Sequence, residues 1–408
     1  MRGVARFSIS ALVILAAVTA AASLSCAAAS NRPKHVFLII LENESYATSF
    51  GPNSRAPYLA HELPKEGLLL TQYYAIGHAS LDNYIAILSG QPPNHQTQAD
   101  CFRYTSFSGF TGLISDGVAT GSGCIYPKAV PTLPDQLAAA HLTWGGYMED
   151  MGNGVPADPP VCRHPKLDQI DCTFMARAKD QYTTRHNPFV YFDSLIDEGA
   201  CQKDDVPLDR LTRDLQGVAT TPNLVFITPN LCNDAHDPAS HSDSRPHQSL
   251  HRSTEKACPG IVYPDTSETC ANGAPGGLVS ADAFLKHWVP IIEASPAFKQ
   301  DGMLIITFDE AATHGAEADS SSCCGETPGP DLQAQQPGRD GPGGGRIGAV
   351  IIAPKFVRNG EDAREYNHYS LLKSLEDIFG LHPYLGYAAK PGLAAFGPDV
   401  YRAGDKAN

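Results

Sequence analysis

Three apolar runs in this sequence, residues 38–41, 224–228 and 304–308, lead into acidic and amide side chains. Glu42 and Asn43 follow the first run, and Asp309 and Glu310 follow the third. The second run is followed by Asn230, Asn233, Asp234 and Asp237, with His236 among them. If the runs are parallel strands, their carboxyl ends meet at the sheet edge where ligands bind. Gathered carboxylates repel one another unless a cation or protons compensate them. The oxygen-rich set therefore predicts one hard divalent ion of the Ca²⁺, Mg²⁺ or Mn²⁺ class, although each pair alone is also typical of a helix cap or a solvated turn.

A second group with chemical potential surrounds Ser80. The residue pattern predicts a helix that starts near Ser80, carries Asp82 in its first turn and stops at Gly90. Ser80 fits two roles, a simple N-cap or a nucleophile, because a hydroxyl beside a metal ion loses its proton more readily. The same helix end would also bind phosphate oxygens. Spacing alone leaves both interpretations open.

Short runs rich in Val and Ile alternate with helical patterns, which predicts an α/β fold with a mainly parallel central sheet and helices on both faces. The predicted strands are His35–Leu41, Leu68–Tyr74, Trp144–Met148, Leu224–Thr228, Met303–Phe308 and Ile347–Ile352. The predicted helices are Tyr58–Lys65, Leu81–Leu88, Leu133–Ala140, Ser280–Glu293 and Tyr369–Phe379. Residues 234–277 and 316–345 lose all periodicity, which indicates long surface loops. No composition shift marks a linker, so residues 31–408 are predicted to form a single domain.

The first 30 residues have the order of a secretory signal. Arg2 and Arg6 precede the apolar run 9–22, and small residues follow through Ser30. We therefore expect a protein that is secreted, periplasmic or displayed at the cell surface. Cys26 offers an alternative, a lipid anchor, but the residues before it fit that pattern poorly. Beyond this segment, no apolar run approaches the ~20 residues needed to cross a bilayer.

Without Cys26, ten cysteines remain, and an even number behind an export signal indicates disulfides. None has the spacing of a zinc site. Sequence does not give the connectivity, so pairing between neighbours is the default expectation: Cys101 with Cys124, Cys162 with Cys172, and Cys258 with Cys270. The adjacent Cys323 and Cys324 either bond to each other or bond to separate partners, and the second arrangement is favoured.

The charge balance argues against one class of partner. The chain has 30 basic and 44 acidic side chains, for a formal net charge of -14. It contains no run of Lys or Arg that would bind a polyphosphate backbone. Nucleic-acid binding by general electrostatic attraction is therefore not expected.

Five segments, taken in order, resemble the motifs of the bacterial phosphoesterase family. They are Glu42-Asn43-Glu44-Ser45, His78-Ala79-Ser80-Leu81-Asp82-Asn83-Tyr84, Asn233-Asp234-Ala235-His236-Asp237, Thr307-Phe308-Asp309-Glu310 and His368-Tyr369-Ser370-Leu371-Leu372. That family contains secreted acid phosphatases and phospholipases C and is related to the alkaline phosphatase superfamily. The resemblance implies an alkaline-phosphatase-like α/β fold with long loops held by disulfides.

The resemblance also implies roles for individual residues. Ser80 would be the nucleophile that forms a phosphoserine, and His236 would protonate the leaving oxygen or stabilise the phosphoryl oxygens. Asn83 would donate a hydrogen bond to a phosphoryl oxygen. The implied metal ligands are Glu42, Asn43, Ser80, Asp309 and Glu310. Asp234 and Asp237 would lie close to His236, to orient it or to bind metal. The implied substrate-binding residues are His186, Asp234 and His78, and a structural histidine in a loop is the open alternative for His186.

Two departures from the family pattern bear on function. Ala79 and Asp82 replace prolines, and Asp82 would place a negative charge near an anionic substrate. Ala311 to Gly315 replaces the run that phospholipases C carry after the acidic pair, which favours the phosphatase branch. We therefore expect a secreted, metal-dependent acid phosphatase that acts on small monoesters or phosphoinositide headgroups. The alternatives are a phosphodiesterase or phospholipase C, and a noncatalytic exported binding protein.

Overall fold

The structure is a computed structural model that carries side chains. It describes residues 32–156, 158–177, 179–236, 258, 270–313, 315–331, 341–397 and 400–401. The predicted signal segment and Asp237 lie outside the described residues, as do most of residues 234–277 and part of residues 316–345. The described residues from Arg32 onward belong to one compact unit. Within them, no helix is both long enough and apolar enough to cross a lipid bilayer.

An eight-stranded sheet forms the centre of the molecule, in the order β5-β4-β6-β1-β7-β8-β2-β9. Its neighbours pair in parallel except for β8, which runs antiparallel to both β7 and β2. A second, small sheet pairs β10 with β3 in parallel. The strands are β1 His35–Leu41, β2 Leu68–Leu70, β3 Tyr73–Tyr74, β4 Trp144–Met148, β5 Asp205–Pro207, β6 Leu224–Thr228, β7 Gly302–Phe308, β8 Ala349–Ile352, β9 Gly360–Asp362 and β10 Tyr366–Asn367. The predicted mainly parallel α/β sheet is therefore confirmed.

Helices and short helical turns connect and cover these strands. The α-helices are α1 Tyr46–Phe50, α2 Leu63–Glu66, α3 Ser80–Ser89, α4 Leu133–Ala139, α5 Asp193–Ile196, α6 Ala200–Asp204, α7 Leu211–Asp214, α8 Gly277–Ala294, α9 Pro296–Asp301 and α10 His368–Phe379. The 3₁₀ turns are Thr97–Ala99, Met151–Asn153, Thr184–His186, Pro188–Tyr191, Leu208–Arg210 and Gly386–Ala389, and Tyr58–Glu62 forms a π-turn.

The central strands β1 and β7 explain why the site forms where it does. Every residue of both strands is buried, as expected for sequence runs that are apolar along their whole length. Their parallel register places Leu41 opposite Phe308, and the Asp309 N–H donates to the Leu41 carbonyl at 2.8 Å. The residues that follow the two strands therefore emerge side by side at one sheet edge.

Two predicted elements differ in detail from the structure. The predicted strand Leu68–Tyr74 is divided into β2 and β3, which belong to different sheets. The predicted helix Tyr58–Lys65 is a π-turn followed by the four-residue α2, since Pro64 lacks an N–H and favours a new helix start.

The disulfides confirm only one of the three neighbour pairings. Cys101 bonds to Cys124 as predicted. The other expected pairings are wrong, because cysteines distant in sequence lie closer in space. The observed bonds are Cys162–Cys201, Cys172–Cys258 and Cys232–Cys270. The favoured arrangement for the adjacent pair is also wrong, since Cys323 bonds to Cys324.

Candidate active site

Glu42 is the centre of a buried hydrogen-bond cluster at the end of β1. Its Oε2 accepts from the Ser80 hydroxyl at 2.8 Å and from Asn43 Nδ2 at 3.0 Å. Its Oε1 accepts from the Tyr84 hydroxyl at 2.9 Å and lies 3.2 Å from His186 Nε2. Four side chains from three separate segments therefore orient one carboxylate.

The acidic pair after β7 joins this cluster through the backbone. Oδ1 of Asp309 accepts from the Asn43 N–H at 3.0 Å and from the Glu310 N–H at 2.6 Å. Asn43 has a φ of 49°, a left-handed conformation that Asn tolerates better than most residues. Glu310 Oε2 lies 3.3 Å from Nδ1 of the buried His78. The sheet edge thus brings together both predicted acidic pairs, Ser80 and His78.

Helix α3 places Ser80 one residue inside the helix, after the N-cap position. Ala79 is the N-cap with extended backbone, and Ser80 is the first helical residue. The Ser80 hydroxyl donates to Glu42. The interpretation of Ser80 as a simple N-cap is therefore wrong, and its hydroxyl lies among the acidic side chains of the site.

Two groups that the sequence assigned to phosphate binding have protein partners. Asn83 Oδ1 accepts from the N–H groups of Ile76 and Gly77, and its Nδ2 donates to the carbonyls of Gly77 and Ala79. The amide of Leu81, in the first turn of α3, donates to Asp100 Oδ1 at 3.0 Å. The Asn83 side chain therefore holds the loop that leads into Ser80, and its contact with a phosphoryl oxygen stays a prediction.

The segment after β6 completes the site from the other side. Asp234 is buried, and its carbonyl accepts from the Glu42 N–H at 2.7 Å. Its Oδ1 accepts from the His236 N–H at 3.0 Å, and its Oδ2 lies 3.7 Å from His186 Nδ1. Ala235, which lies between Asp234 and His236 in the chain, has a φ of 86°, a value that a non-glycine residue seldom adopts. The buried His186 therefore bridges Glu42 and Asp234, while His236 is exposed.

Burial and mutual repulsion disturb the ionisation of these acids. Burial, followed by the charges of Asp309 and Asp234, raises the pKa of Glu42 well above its usual range. Burial first, then the charge of Glu310, does the same to the pKa of Asp309. Burial raises the pKa of Asp234 to about 8. In contrast, burial holds the pKa of His186 well below its usual value. Such a site favours protons or a bound cation.

The donor set fits a hard divalent cation. Oδ2 of Asp309 and Oδ2 of Asp234 are buried and accept no hydrogen bond from the described part of the chain. Carboxylate and amide oxygens dominate the cluster, as Ca²⁺, Mg²⁺ and Mn²⁺ prefer. A different compact group, Cys162, Cys201 and Asp205, does not fit a metal ion, because its two sulfurs form a disulfide and offer no thiolate.

A sequence model of the Phosphoesterase family matches residues 52–249 and 266–382 of this chain. The chain belongs to that family. It is 27% identical to a phosphate-repressible acid phosphatase of Penicillium chrysogenum over 85% of this chain and 59% of the relative. It is 23% identical to a probable acid phosphatase of Kluyveromyces lactis over 86% of this chain and 59% of that relative. The chain thus spans less than two thirds of the length of both fungal relatives.

Two further proteins are similar to this phosphoesterase. A phosphatidylinositol-3-phosphatase of Mycobacterium tuberculosis is 23% identical over 87% of this chain and 79% of its own length. Among solved structures, a protein of the alkaline phosphatase superfamily from Vibrio parahaemolyticus is 15% identical, with a TM-score of 0.43, over 88% of this chain and 70% of its own.

Three residues in or beside the candidate site were given no role by the sequence analysis. Tyr84 contacts Glu42, as described above. Nε2 of His368 lies 2.6 Å from the Asp309 carbonyl, and its Nδ1 lies 3.1 Å from the Tyr73 hydroxyl. Arg185 precedes His186. Tyr84 and His368 fall within the family-like motifs, so the motifs were the available signal, but their contacts depend on tertiary packing.

Proposed function

We propose that this chain is a phosphoric ester hydrolase of the acid phosphatase type that cleaves phosphate monoesters through Ser80. The observation that carries the proposal is the Ser80 hydroxyl, which donates to Glu42 at 2.8 Å instead of capping its helix. A nucleophilic hydroxyl needs a neighbouring group that accepts its proton, and Glu42 is the nearest described acceptor. The names of the relatives, acid phosphatase and phosphatidylinositol-3-phosphatase, support the same reaction class.

The proposed function includes one divalent metal ion. Glu42, Asn43, Asp309 and Glu310 would hold it together with Ser80. When bound, such an ion lowers the proton affinity of a serine hydroxyl and neutralises charge on phosphoryl oxygens. The buried acids, with pKa values raised by burial and mutual repulsion, support this assignment.

The chain's own residues account for the proton transfers in two displacements. Ser80 Oγ attacks phosphorus in line and transfers its proton toward Glu42. The ester oxygen leaves as the alcohol, protonated by His236, which follows the Asp234 turn at the exposed side of the site. Water then attacks the phosphoserine and gives a proton to His236, the Ser80 oxygen leaves and regains its proton from Glu42, and inorganic phosphate is released. Asn83 acts as a positioning residue that shapes the loop 76–79. Asp237 lies outside the described residues, and its role beside His236 stays a prediction.

Substrates and location follow as parts of the same proposal. Small phosphate monoesters and phosphoinositide headgroups are the proposed substrates, with a phosphodiesterase or phospholipase C as the competing activity. The described residues contain five disulfides, which fit an oxidising compartment outside the cytosol. We therefore keep the proposal of an exported protein with a signal in residues 1–30.

The decisive experiment compares Ser80→Ala with Ser89→Ala, a matched change at the other end of α3, where the hydroxyl donates only to the Ile85 carbonyl. We expect Ser80→Ala to lower kcat for p-nitrophenyl phosphate by at least about 10³-fold and to abolish phosphoenzyme labelling. Ser89→Ala keeps both, and the circular dichroism spectra stay alike. Turnover that survives in Ser80→Ala removes Ser80 from the mechanism.

The same assay separates the competing functions. Chelator should abolish turnover and added divalent ion should restore it. Faster cleavage of bis-p-nitrophenyl phosphate or phosphatidylcholine than of monoesters would replace the phosphatase with a diesterase. No phosphate release from any ester, with metal bound, would favour a noncatalytic binding protein.

A further inference from the structure

Arg185 lies beside the candidate active site but has no role in the mechanism above. It belongs to the 3₁₀ turn Thr184–His186, which packs against α3. The next residue, His186, stacks its ring on that of Tyr84, with centroids 5.5 Å apart and an interplanar angle of 13°. Because His186 also lies 3.2 Å from Glu42, this turn is held firmly against α3, the helix that carries Ser80.

The Arg185 guanidinium is held in place without being neutralised. Its Nη1 donates to the Phe174 carbonyl at 2.7 Å, and its Cζ lies 4.5 Å from the centre of the Phe174 ring. No carboxylate of the described residues lies within ion-pairing distance of it, and no second hydrogen bond to them uses its other N–H groups. A half-buried guanidinium with one anchored nitrogen keeps donors for an external anion.

The positive charge of Arg185 reaches the acids of the site. It lowers the pKa of Glu42 and of Asp234, against the larger effect of burial on both. The Asn83 side-chain amide, expected from sequence to bind phosphate, has protein partners, as does the Leu81 N–H at the start of α3. A dianionic phosphoryl group that approaches these carboxylates would therefore gain from a cationic hydrogen-bond donor of the chain, beside the proposed metal ion.

We propose that Arg185 is a substrate-binding residue that holds the phosphoryl group of the ester through its guanidinium N–H groups. This inference rests on the proposed function, because it assigns the ligand of Arg185 as the phosphoryl oxygens of the same substrate. Arginine suits this task because its planar guanidinium, here called the fork, can donate two parallel hydrogen bonds to two phosphoryl oxygens. Phe174 acts as the positioning residue that fixes the plane of the fork.

A purely structural role makes a different prediction. If Arg185 serves only to tie the Phe174 segment to the turn, its loss would lower thermal stability and kcat but leave affinity for phosphate unchanged. Affinity for inorganic phosphate, the reaction product, therefore separates the two roles.

The test measures binding of inorganic phosphate by calorimetry in the Ser80→Ala background, with protein as purified and no chelator, so that turnover is not required. We expect Arg185→Gln to weaken phosphate binding by about 10- to 100-fold, as for loss of a charge-assisted hydrogen bond. Arg185→Lys should lose less, because it keeps the charge but not the fork. Phe174→Leu keeps the guanidinium and should give an intermediate loss.

Arg213→Gln is the matched control, because the Arg213 guanidinium is exposed and paired with Asp214 at 2.9 Å. Its phosphate affinity should stay within about twofold of the parent. In the active chain, which retains Ser80, Arg185→Gln should raise KM for the substrate and the inhibition constant of phosphate in parallel. Unchanged phosphate affinity in Arg185→Gln overturns the inference, whatever happens to kcat or Tm. A wild-type chain without turnover overturns the proposed function instead, and the calorimetry still decides the role of Arg185.

Discussion

The carboxylate of Glu42 is held at both of its oxygens. Oε2 faces Ser80 and Asn43, while Oε1 faces Tyr84 and His186. Supporting contacts of this kind set the position of a catalytic group to a fraction of an ångström, on which rates depend strongly. The Oε1 contacts should therefore affect chemistry at Ser80 without touching the substrate.

Removing one of those supports gives a prediction at the residue scale. Tyr84→Phe keeps the ring that stacks on His186 but removes the hydroxyl that donates to Glu42. We expect kcat to fall by about tenfold and the free energy of unfolding to fall by about 1 kcal/mol. Steady-state kinetics and urea unfolding measure the two effects.

Tyr74→Phe is the control for that change, because it removes a hydroxyl that donates to Gln72 at 2.6 Å in a half-buried position outside the site. An equal loss of kcat in both variants would contradict a specific role for the Tyr84 hydroxyl.

Sequence reasoning reached the residues of this site whose position follows from strand ends. Glu42 and Asp309 each follow a buried strand, so their meeting depends only on β1 and β7 being parallel neighbours. The backbone contacts of Asn83 were not predicted, because a side-chain amide can bind either substrate or backbone, and only the folded loop 76–79 supplies the backbone partners. From sequence alone, Tyr84 is typical of an ordinary aromatic residue of the core, because its contact with Glu42 forms only when α3 packs against the sheet edge.

At the scale of elements, the predictable strands were those with a continuous apolar run. β1, β4 and β6 have the predicted bounds, while β5 and β9 were not predicted. Each of the latter two has three residues, lies at an edge of the sheet and includes acidic side chains. Their pairing depends on neighbouring strands more than on their own sequence, so local patterns carry little information about them.

The described parts of the 316–345 loop connect the two halves of the site. Gly344 donates from its N–H to the Ala75 carbonyl at 3.2 Å and accepts from the Ala311 N–H at 2.8 Å. It therefore joins the loop before Ser80 to the segment after Glu310. A Cβ at position 344 would lie 2.3 Å from the Gly77 carbonyl oxygen, so only glycine fits this approach without backbone movement.

Gly344→Ala should consequently displace the loop 76–79. We expect kcat to fall by at least about tenfold, because a shift of about 1 Å at the nucleophile costs up to about 10²-fold. Gly217→Ala is the control, since a Cβ there meets only Thr220 Oγ1 at 3.4 Å. Kinetics on both variants, with circular dichroism to verify folding, provide the measurement. A Gly344→Ala enzyme with parental kcat would show that the loop does not set the position of Ser80.

Across the whole molecule, buried acids away from the site favour folding in acid. Burial raises the pKa of Glu149 to about 7 and those of Asp205, Glu326 and Glu376 to about 8. Each such carboxyl is protonated in the folded chain at pH values where it is ionised in the unfolded chain. Their stabilising contribution is complete below the unfolded pKa of about 4 and is lost as pH rises toward 8.

Asp205 isolates this effect. It is completely buried, accepts from Asn187 Nδ2 at 2.8 Å and lies outside the candidate site. Asp205→Asn keeps the shape and the acceptor oxygen but removes the titration. Between pH 5 and pH 8 we expect the free energy of unfolding of the parent to fall more steeply than that of the variant. The difference in slope should be up to about 1.4 kcal/mol per pH unit. Urea unfolding at several pH values measures both slopes.

The exposed neighbour Asp209 supplies the control, because Asp209→Asn should leave the parental slope unchanged. Parallel slopes for the parent and Asp205→Asn would mean that Asp205 is ionised in the folded protein throughout this range.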